Sequence, residues 1–255
     1  MLRIINVTKK FGGLTAVDDL SIKVKRGHIH SIIGPNGAGK TTLVNMITGV
    51  YKVSGGSIHL DGKDITNIPT NKLVHKGVCR TFQHLEVCSN MTALENVMLG
   101  FDKYMNKNLF KSCFRFNEIV EDEKKYHKKA MELLKMVGLE EYANIEAQNL
   151  SYGILKKIEI IRAIATSPEI ILLDEPVAGL NPNETAEISA IIKDIAHKGV
   201  TIVLIEHDMK MVMKVSDKIT VMNFGRKLAQ GTPEEIANNE EVITAYLGNG
   251  AFHGH

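Results

Sequence analysis

The sequence predicts an α/β fold: a mainly parallel sheet covered by helices, joined by a smaller antiparallel sheet from the N-terminal strands. Three observations lead there. Short apolar runs with strand character at Gly77–Phe82, Ile170–Leu173, Thr201–Ile205 and Lys218–Asn223 lie between or beside helical patterns at Thr41–Thr48, Glu121–Val137, Ile154–Ala165 and Glu184–His197. The strands beginning at 170 and 201 enclose a helix of suitable length, which makes a βαβ unit and implies parallel neighbours. The first third is different in kind. Its β runs at Arg3–Val7, Leu20–Lys25, His28–Ile33 and Ser57–Leu60 are set off by turns such as Lys25-Arg26-Gly27 and Ser54-Gly55-Gly56, which suits antiparallel pairing.

Composition fits this fold. A chain of 255 residues with 44% hydrophobic and 24% charged residues has material for a sizeable core in one large domain or two small ones, and the balance excludes a collagen-like, coiled-coil or disordered chain. No apolar stretch approaches the roughly 20 residues that cross a bilayer, so the chain itself is not expected to span a membrane. The start, Met1 to Val7, lacks the charged head, apolar run and cleavage site of a signal peptide, which argues for a cytosolic location. Cys79, Cys88 and Cys113 are odd in number and include no CxxC pair, so neither a disulfide framework nor a zinc site is expected. His28 and His30, like His253 and His255, have no carboxylate or thiol beside them in sequence and read as non-ligands. A net charge of +2 and the absence of Trp give no footprint for nucleic acid.

The middle of the chain, from about Gly100 to Ala147, has its own texture. Lys103, Lys107, Lys111 and Arg115 interleave with Phe101, Tyr104, Phe110, Phe114 and Phe116, and a densely charged stretch at Glu118–Lys129 precedes the apolar positions Met131, Leu134 and Val137. A helical insertion with a solvated face is the expectation; a grip on nucleic acid or a membrane surface is the alternative. Near the C-terminus, Thr232, Pro233 and Glu235 supply an N-cap hydroxyl, a proline at the first helical position and a carboxylate three residues after the cap. One helix is expected from there to about Leu247-Gly248, followed by a disordered tail at Asn249–His255.

The strongest motif is Gly34-Pro35-Asn36-Gly37-Ala38-Gly39-Lys40-Thr41, which fits G-x-x-x-x-G-K-[ST], follows the strand His28–Ile33 and opens a helix. Glycines let successive backbone amides turn inward around an anion, and the helix N-terminus adds positive potential. Lys40 is suited to neutralise β- and γ-phosphates, Thr41 to offer its hydroxyl to Mg2+, and Thr42 to extend the same cradle. A metal-bound phosphate needs an acidic partner, and Asp174 supplies it at the C-terminal end of the apolar strand starting at Ile170. Asp174 would hold Mg2+ through water, and Glu175 would polarise the attacking water. Up to this point the residues describe any P-loop NTPase, kinases and GTPases included.

Leu150-Ser151-Tyr152-Gly153 precedes an amphipathic helix in which Ile154, Ile158, Ile161 and Ala165 recur at helical spacing while Lys156, Lys157 and Arg162 are expected to point elsewhere. With this segment lying upstream of the Asp174-Glu175 strand, the chain resembles an ATP-binding-cassette (ABC) ATPase, whose signature is Leu-Ser-Gly-Gly-Gln. The resemblance covers nearly the whole chain. It implies a Q-loop glutamine at Gln83, acting on the metal and in catalysis, a D-loop at Gly179-Leu180-Asn181, a switch histidine at His207 and an adenine-stacking aromatic at Phe11. It further implies a P-loop NTPase core at 1–82 and 168–248, with an N-terminal antiparallel β subdomain, and an inserted α-helical subdomain at 83–167 hinged at Gln83.

In that family two cassettes sandwich two ATP molecules head to tail, each between one subunit's P-loop and the other's signature. Ser151 and Gly153, with no ligand in their own subunit, would then face a γ-phosphate across the interface. Tyr152 and Ile154 depart from the usual Gly and Gln, and Asn181 stands where many D-loops carry Asp, yet activity is expected to survive. A cassette without membrane spans acts on separate permease subunits or as a soluble non-transport ABC ATPase. The absence of a second cassette or a long coiled coil favours transport. Arg80-Thr81-Phe82-Gln83, the run Leu173–Pro182, Ile205–Lys210 and the ending from Gly231 to Gly248 are similar to the larger ATPase subunit of branched-chain amino-acid importers. The resemblance implies ATP and Mg2+ as cofactors and a peripheral place on the cytoplasmic face of the membrane. The implied partners are transmembrane permeases, a second ABC ATPase subunit and, indirectly, a solute-binding protein. The permease contact is expected between Gln83 and Val97 and on the helical insertion. Cassettes for urea uptake or lipopolysaccharide export are the alternatives.

Overall fold

A computed structural model describes residues 2–81, 86–104 and 117–247, with the side chains of 117–120 left aside. The chain opens with a hairpin of β1 (Leu2–Phe11) and β2 (Leu14–Lys23), followed by β3 (Ile29–Ile33), α1 (Lys40–Ile47), β4 (Gly55–Leu60) and β5 (Lys63–Asp64). Next come α2 (Thr70–His75), β6 (Val78–Arg80), α3 (Ala93–Met98), a 3-10 turn at Leu99–Tyr104, α4 (Asn117–Met136) and α5 (Tyr152–Ala165). The remainder is β7 (Ile170–Asp174), α6 (Pro182–His197), β8 (Thr201–Ile205), α7 (Met209–Val215), β9 (Lys218–Asn223), β10 (Arg226–Gly231), α8 (Pro233–Ala237) and α9 (Glu240–Leu247).

Two sheets form, as expected. The N-terminal sheet is antiparallel with the order β2-β1-β4-β5. The larger sheet has the order β10-β9-β3-β8-β7-β6; all its pairs are parallel except the β9–β10 hairpin. The βαβ unit stands as read, with Ile170 opposite Thr201 and Asp174 opposite Ile205. His28–Ile33 grouped by sequence with the N-terminal β runs, but β3 belongs to the parallel sheet, between β8 and β9. Every residue of β3, β7 and β8 is buried. Burial on both faces explains why they read as unbroken apolar runs. Ile171, Leu173, Ile202 and Leu204 turn to a core shared with α3, α4, α5 and α6, whereas Ile170, Leu172, Val203 and Ile205 turn to one shared with α1 and the antiparallel sheet.

Several features differ from expectation for physical reasons. β10 has no apolar run, because as the edge strand its Arg226, Lys227 and Gln230 stay in or near solvent. The helices α2, α3 and α7 have six or seven residues, too few turns to establish a period. The C-terminal helix is two helices: the capping box between Thr232 and Glu235 starts α8 as predicted, but α8 stops at Ala237 and Asn239 Oδ1 accepts from Val242 N as the chain enters α9. Lys156, expected to face outward, is 1% exposed. Its helix is covered on more than one side, and its ammonium lies 3.3 Å from Glu159 Oε2. The basic and aromatic positions Lys107 to Phe116, Cys113 and the tail from Gly248 lie outside the described residues.

Candidate nucleotide site

The P-loop runs from the end of β3 to the start of α1, and two of its glycines are required by space. At Gly34 (φ +154) an added Cβ would sit 2.2 Å from the Met222 carbonyl oxygen, and at Gly39 (φ +96) it would sit 2.5 Å from that of Ala16. The loop is therefore wedged between β2 and the β9–β10 hairpin. Gly225 N donates to Ala38 O and Ala38 N to Pro35 O, both at 3.1 Å. Within this wrap Lys40 Nζ donates to Gly34 O at 2.6 Å and Pro35 O at 3.0 Å. Burial lowers the lysine's pKa, opposed by attraction to Glu175 and then Asp174. Lys40 is thus a cation held over the loop within electrostatic reach of both acids. The cavity here has a volume of about 500 Å3 and is bounded by Asn36, Gly37, Ala38, Gly39, Lys40, Thr41, Thr42 and Glu175.

The acidic edge is built by β7 and β8. Asp174, the last residue of β7, is 4% exposed, and its Oδ2 accepts from Arg80 Nη2 at 2.7 Å. Glu175 adopts φ 49, a left-handed conformation uncommon for a non-glycine residue, while its amide still donates to Ile205 O at 2.9 Å. That turn directs the carboxylate into the cavity, and strain of about 1–3 kcal/mol at such a residue is a recurring property of functional sites. His207 Nδ1 lies 3.6 Å from Glu175 Oε1, beyond hydrogen-bond length but close enough for attraction when the ring is protonated.

Glu206, which the sequence reading left without a role, holds this edge together. It is 1% exposed and accepts from Val177 N at 3.1 Å, His207 N at 3.0 Å and Asp208 N at 3.4 Å. One carboxylate thereby ties the segment after Glu175 to the segment bearing His207. Burial raises its pKa while those amides act to lower it.

The signature region has uses within its own chain. Ser151 caps α5, its hydroxyl accepting from Ile154 N at 3.5 Å. Gly153 packs closely on α6: an added Cβ would come within 2.5 Å of Glu184 Oε1 and displace that carboxylate. Asn181 caps α6 in a capping box with Glu184, its side chain accepting from Asn183 N and Glu184 N, both at 3.0 Å. Phe11 lies at the end of β1 with its ring edge-on to Tyr51 at 5.3 Å and Lys9 over its face at 4.8 Å. It does not border the P-loop cavity, whereas Leu14 and Phe224 do. Sequence reading missed both; Phe224 is 87% exposed at φ 44 in the β9–β10 turn, and only the fold brings that turn to the P-loop. Gln83 lies outside the described residues.

The donor chemistry fits magnesium. Thr41 and Asp174 offer a hydroxyl and a carboxylate, hard oxygen donors of the kind Mg2+ uses beside phosphate oxygens and water. Asp174 is joined through Arg80 to Asn45 of α1, the helix whose first turn carries Thr41.

Comparison with known proteins agrees with this geometry. A family model described as ABC transporter matches residues 17–178, and one described as branched-chain amino acid ATP-binding cassette transporter matches 226–251. The high-affinity branched-chain amino acid transport ATP-binding protein BraF of Pseudomonas aeruginosa is 45% identical over 97% of this chain and 98% of its own. The corresponding protein LivG of Salmonella typhimurium is 44% identical with the same coverage. Among solved structures, the ADP conformation of an ATP-binding cassette of an ABC transporter superposes with a TM-score of 0.85 at 35% identity, covering 97% of this chain and 98% of that one. A dimeric bacterial ABC transporter cassette gives 0.75 at 28% identity, covering 91% and 99%. With its P-loop cavity, the acids ending β7 and a family match over more than half its length, the chain belongs to the ATP-binding cassettes of ABC transporters.

Proposed function

We propose that this chain is the ATP-binding and hydrolysing subunit that energises an importer of branched-chain amino acids. The observation that carries the reading is the cavity joining Lys40, Thr41 and Glu175, in a chain that shares 45% identity over nearly its full length with a branched-chain amino-acid transport subunit.

ATP is the substrate. Residues Gly34 to Thr42 hold its phosphates through loop amides and the α1 N-terminus, and Lys40 exchanges its two carbonyl partners for phosphate oxygens. Thr41, Asp174 and Gln83 would hold Mg2+, which would supply neutralising charge at the phosphates. Glu175 takes a proton from the attacking water as its oxygen bonds to the γ-phosphorus and the bond to the bridging oxygen breaks, giving ADP and phosphate. His207 orients that carboxylate and stabilises the developing charge. Phe11 offers its ring to the adenine, and Ser151 and Gly153 face the γ-phosphate of a second cassette.

The wider assembly belongs to the same reading. Two cassettes pair around ATP, supported by the dimeric relatives. Permeases dock near 83–97 on the helical lobe at 83–167, against a core at 1–82 and 168–248, and the subunit is peripheral on the cytoplasmic face. Among the described residues no helix is long and apolar enough to cross a membrane, so spanning segments come from the permeases. The test is reconstitution with permeases and binding protein in vesicles. Leucine, isoleucine or valine should stimulate ATP hydrolysis, and Glu175→Gln should cut it by about 100-fold or more. Stimulation by urea alone, or ATPase activity unaffected by any of these solutes, would refute the importer reading.

A further inference from the structure

One buried cation at the acidic edge has no part in the hydrolysis described above. Arg80 ends β6, where it pairs with Leu172 of β7, and its guanidinium reaches across to two other elements. Nη2 donates to Asp174 Oδ2 at 2.7 Å and Nη1 donates to Asn45 Oδ1 on α1 at 2.6 Å. Both charged side chains are nearly buried, 10% exposed for Arg80 and 5% for Asp174. Among the described residues Asp174 Oδ1 accepts no hydrogen bond. The helix opened by the P-loop, the strand ending in Asp174 and the strand leading to Gln83 thus meet at one guanidinium.

We propose that Arg80 is a built-in counter-cation for Asp174, standing in for the divalent ion when the site is empty and competing with it when nucleotide brings it in. The inference rests on the reading of Asp174 as a magnesium-holding residue. A carboxylate this buried needs a partner, because an unpaired charge in the interior is far costlier than a paired one. Arg80 supplies that partner without metal. Once a divalent ion also draws on the carboxylate, two cations share one anion and repel each other, whether Arg80 keeps Oδ2 or yields it. Arg80 is therefore a positioning residue: it pairs Asp174 and holds its carboxylate in place, at the expense of metal affinity. It also borders a second cavity of about 540 Å3 beside α5, together with Glu86, Val87, Arg162 and Thr166, so a shift of its side chain on metal entry is felt on the far side of β6.

The experiment is thermal unfolding of the full chain at saturating ADP, in EDTA and across a magnesium titration, reading the melting temperature in EDTA, the increment from Mg2+ and its half-saturation. Arg80→Met should lower the melting temperature in EDTA by on the order of 10 °C. It should also enlarge the Mg2+ increment and shift half-saturation about tenfold lower. Arg80→Gln, a milder neutral variant that keeps a donor, should move both in the same direction. Asn45→Ala, which removes only the Nη1 contact, should leave half-saturation within about twofold of the parent, since the charge facing Asp174 remains. An unchanged or higher half-saturation in the two neutral variants overturns the inference. Asp174→Asn separates the two levels. If it leaves the Mg2+ increment intact, the reading of Asp174 is wrong; if it removes the increment while the Arg80 variants leave half-saturation unmoved, only the competition is wrong.

Discussion

Acidification from pH 7 to pH 5 should cost the folded chain about 2 kcal/mol through His30 alone. His30 lies on β3, 1% exposed, with Nε2 2.8 Å from Thr220 Oγ1 of β9. Burial first, then repulsion from Lys218 and His28, lowers its pKa from 6.5 to about 4. Lys23, Lys25 and Asp217 border the same cleft, and Asp217 Oδ2 lies 3.9 Å from His28 Nδ1, a carboxylate that only the fold brings to the histidine pair. The folded pKa lies below the unfolded one, so the unfolded chain binds more protons in between. The stabilising share is complete above pH 6.5 and is lost as pH falls toward 4, at about 1.36 kcal/mol per unit. Urea unfolding at pH 7, 6 and 5 measures it, with His30→Leu as reference. That variant leaves Thr220 without its partner, a cost of about 1–3 kcal/mol at every pH, but it cannot titrate. The stability gap between parent and variant should therefore shrink by about 2 kcal/mol from pH 7 to pH 5. Parallel curves would refute the reasoning, since a charged imidazole would then be tolerated in the cleft.

Three further outcomes follow from the site. Gly39→Ala should lose nucleotide binding and at least about 1 kcal/mol of stability, because its Cβ meets Ala16 O at 2.5 Å and its φ of +96 is unfavourable for alanine; calorimetric titration with ADP and urea unfolding read the two effects. Glu175→Gln should cut hydrolysis by about 100-fold or more while keeping ATP bound, and should trap an ATP-held dimer that elutes early in size-exclusion chromatography; a monomer with ATP bound would count against the pairing or against this base. Phe224→Gly should raise stability by about 1 kcal/mol, since an exposed phenylalanine gains little from packing and φ 44 suits glycine; a loss of ADP affinity in the same variant would identify Phe224 as a wall of the base pocket.

The sheet was legible in the sequence where burial is uniform and illegible where it is mixed. Thr201–Ile205 and Lys218–Asn223 have the bounds their apolar runs suggested, because strands packed on both faces leave a continuous signal. Arg226–Gly231 left none, since an edge strand is specified by its hairpin partner rather than by its own side chains. The P-loop and the Asp174-Glu175 pair were legible for a similar reason: their chemistry is local, with every required residue type within a few positions. Arg80, Glu206 and Phe224 depend on approaches between distant segments, and Arg80 meets Asp174 across 94 positions. Nothing near them in sequence names the distant partner, Asp174 for Arg80 or Val177 for Glu206.

That distinction bears on how the signature region works. Ser151 reads as a hydroxyl turned to a partner's nucleotide and Asn181 as the D-loop residue standing in for Asp, but both are N-caps, of α5 and α6, in the single chain. The two uses are compatible in different degrees. Asn181 holds two amides at 3.0 Å each, a firm cap whose release would cost about 1 kcal/mol or more. Ser151 accepts at 3.5 Å, the limit of a hydrogen bond, so turning its hydroxyl to a phosphate gives up little. The helix N-terminus stays positive either way, and a phosphate arriving there replaces the weak cap with a charged acceptor. Of the two positions, Ser151 is therefore the one free to change partners when two cassettes close. Asn181 orients α6, and through Glu184 it supports the start of α5, where an added Cβ at Gly153 would strike that same carboxylate.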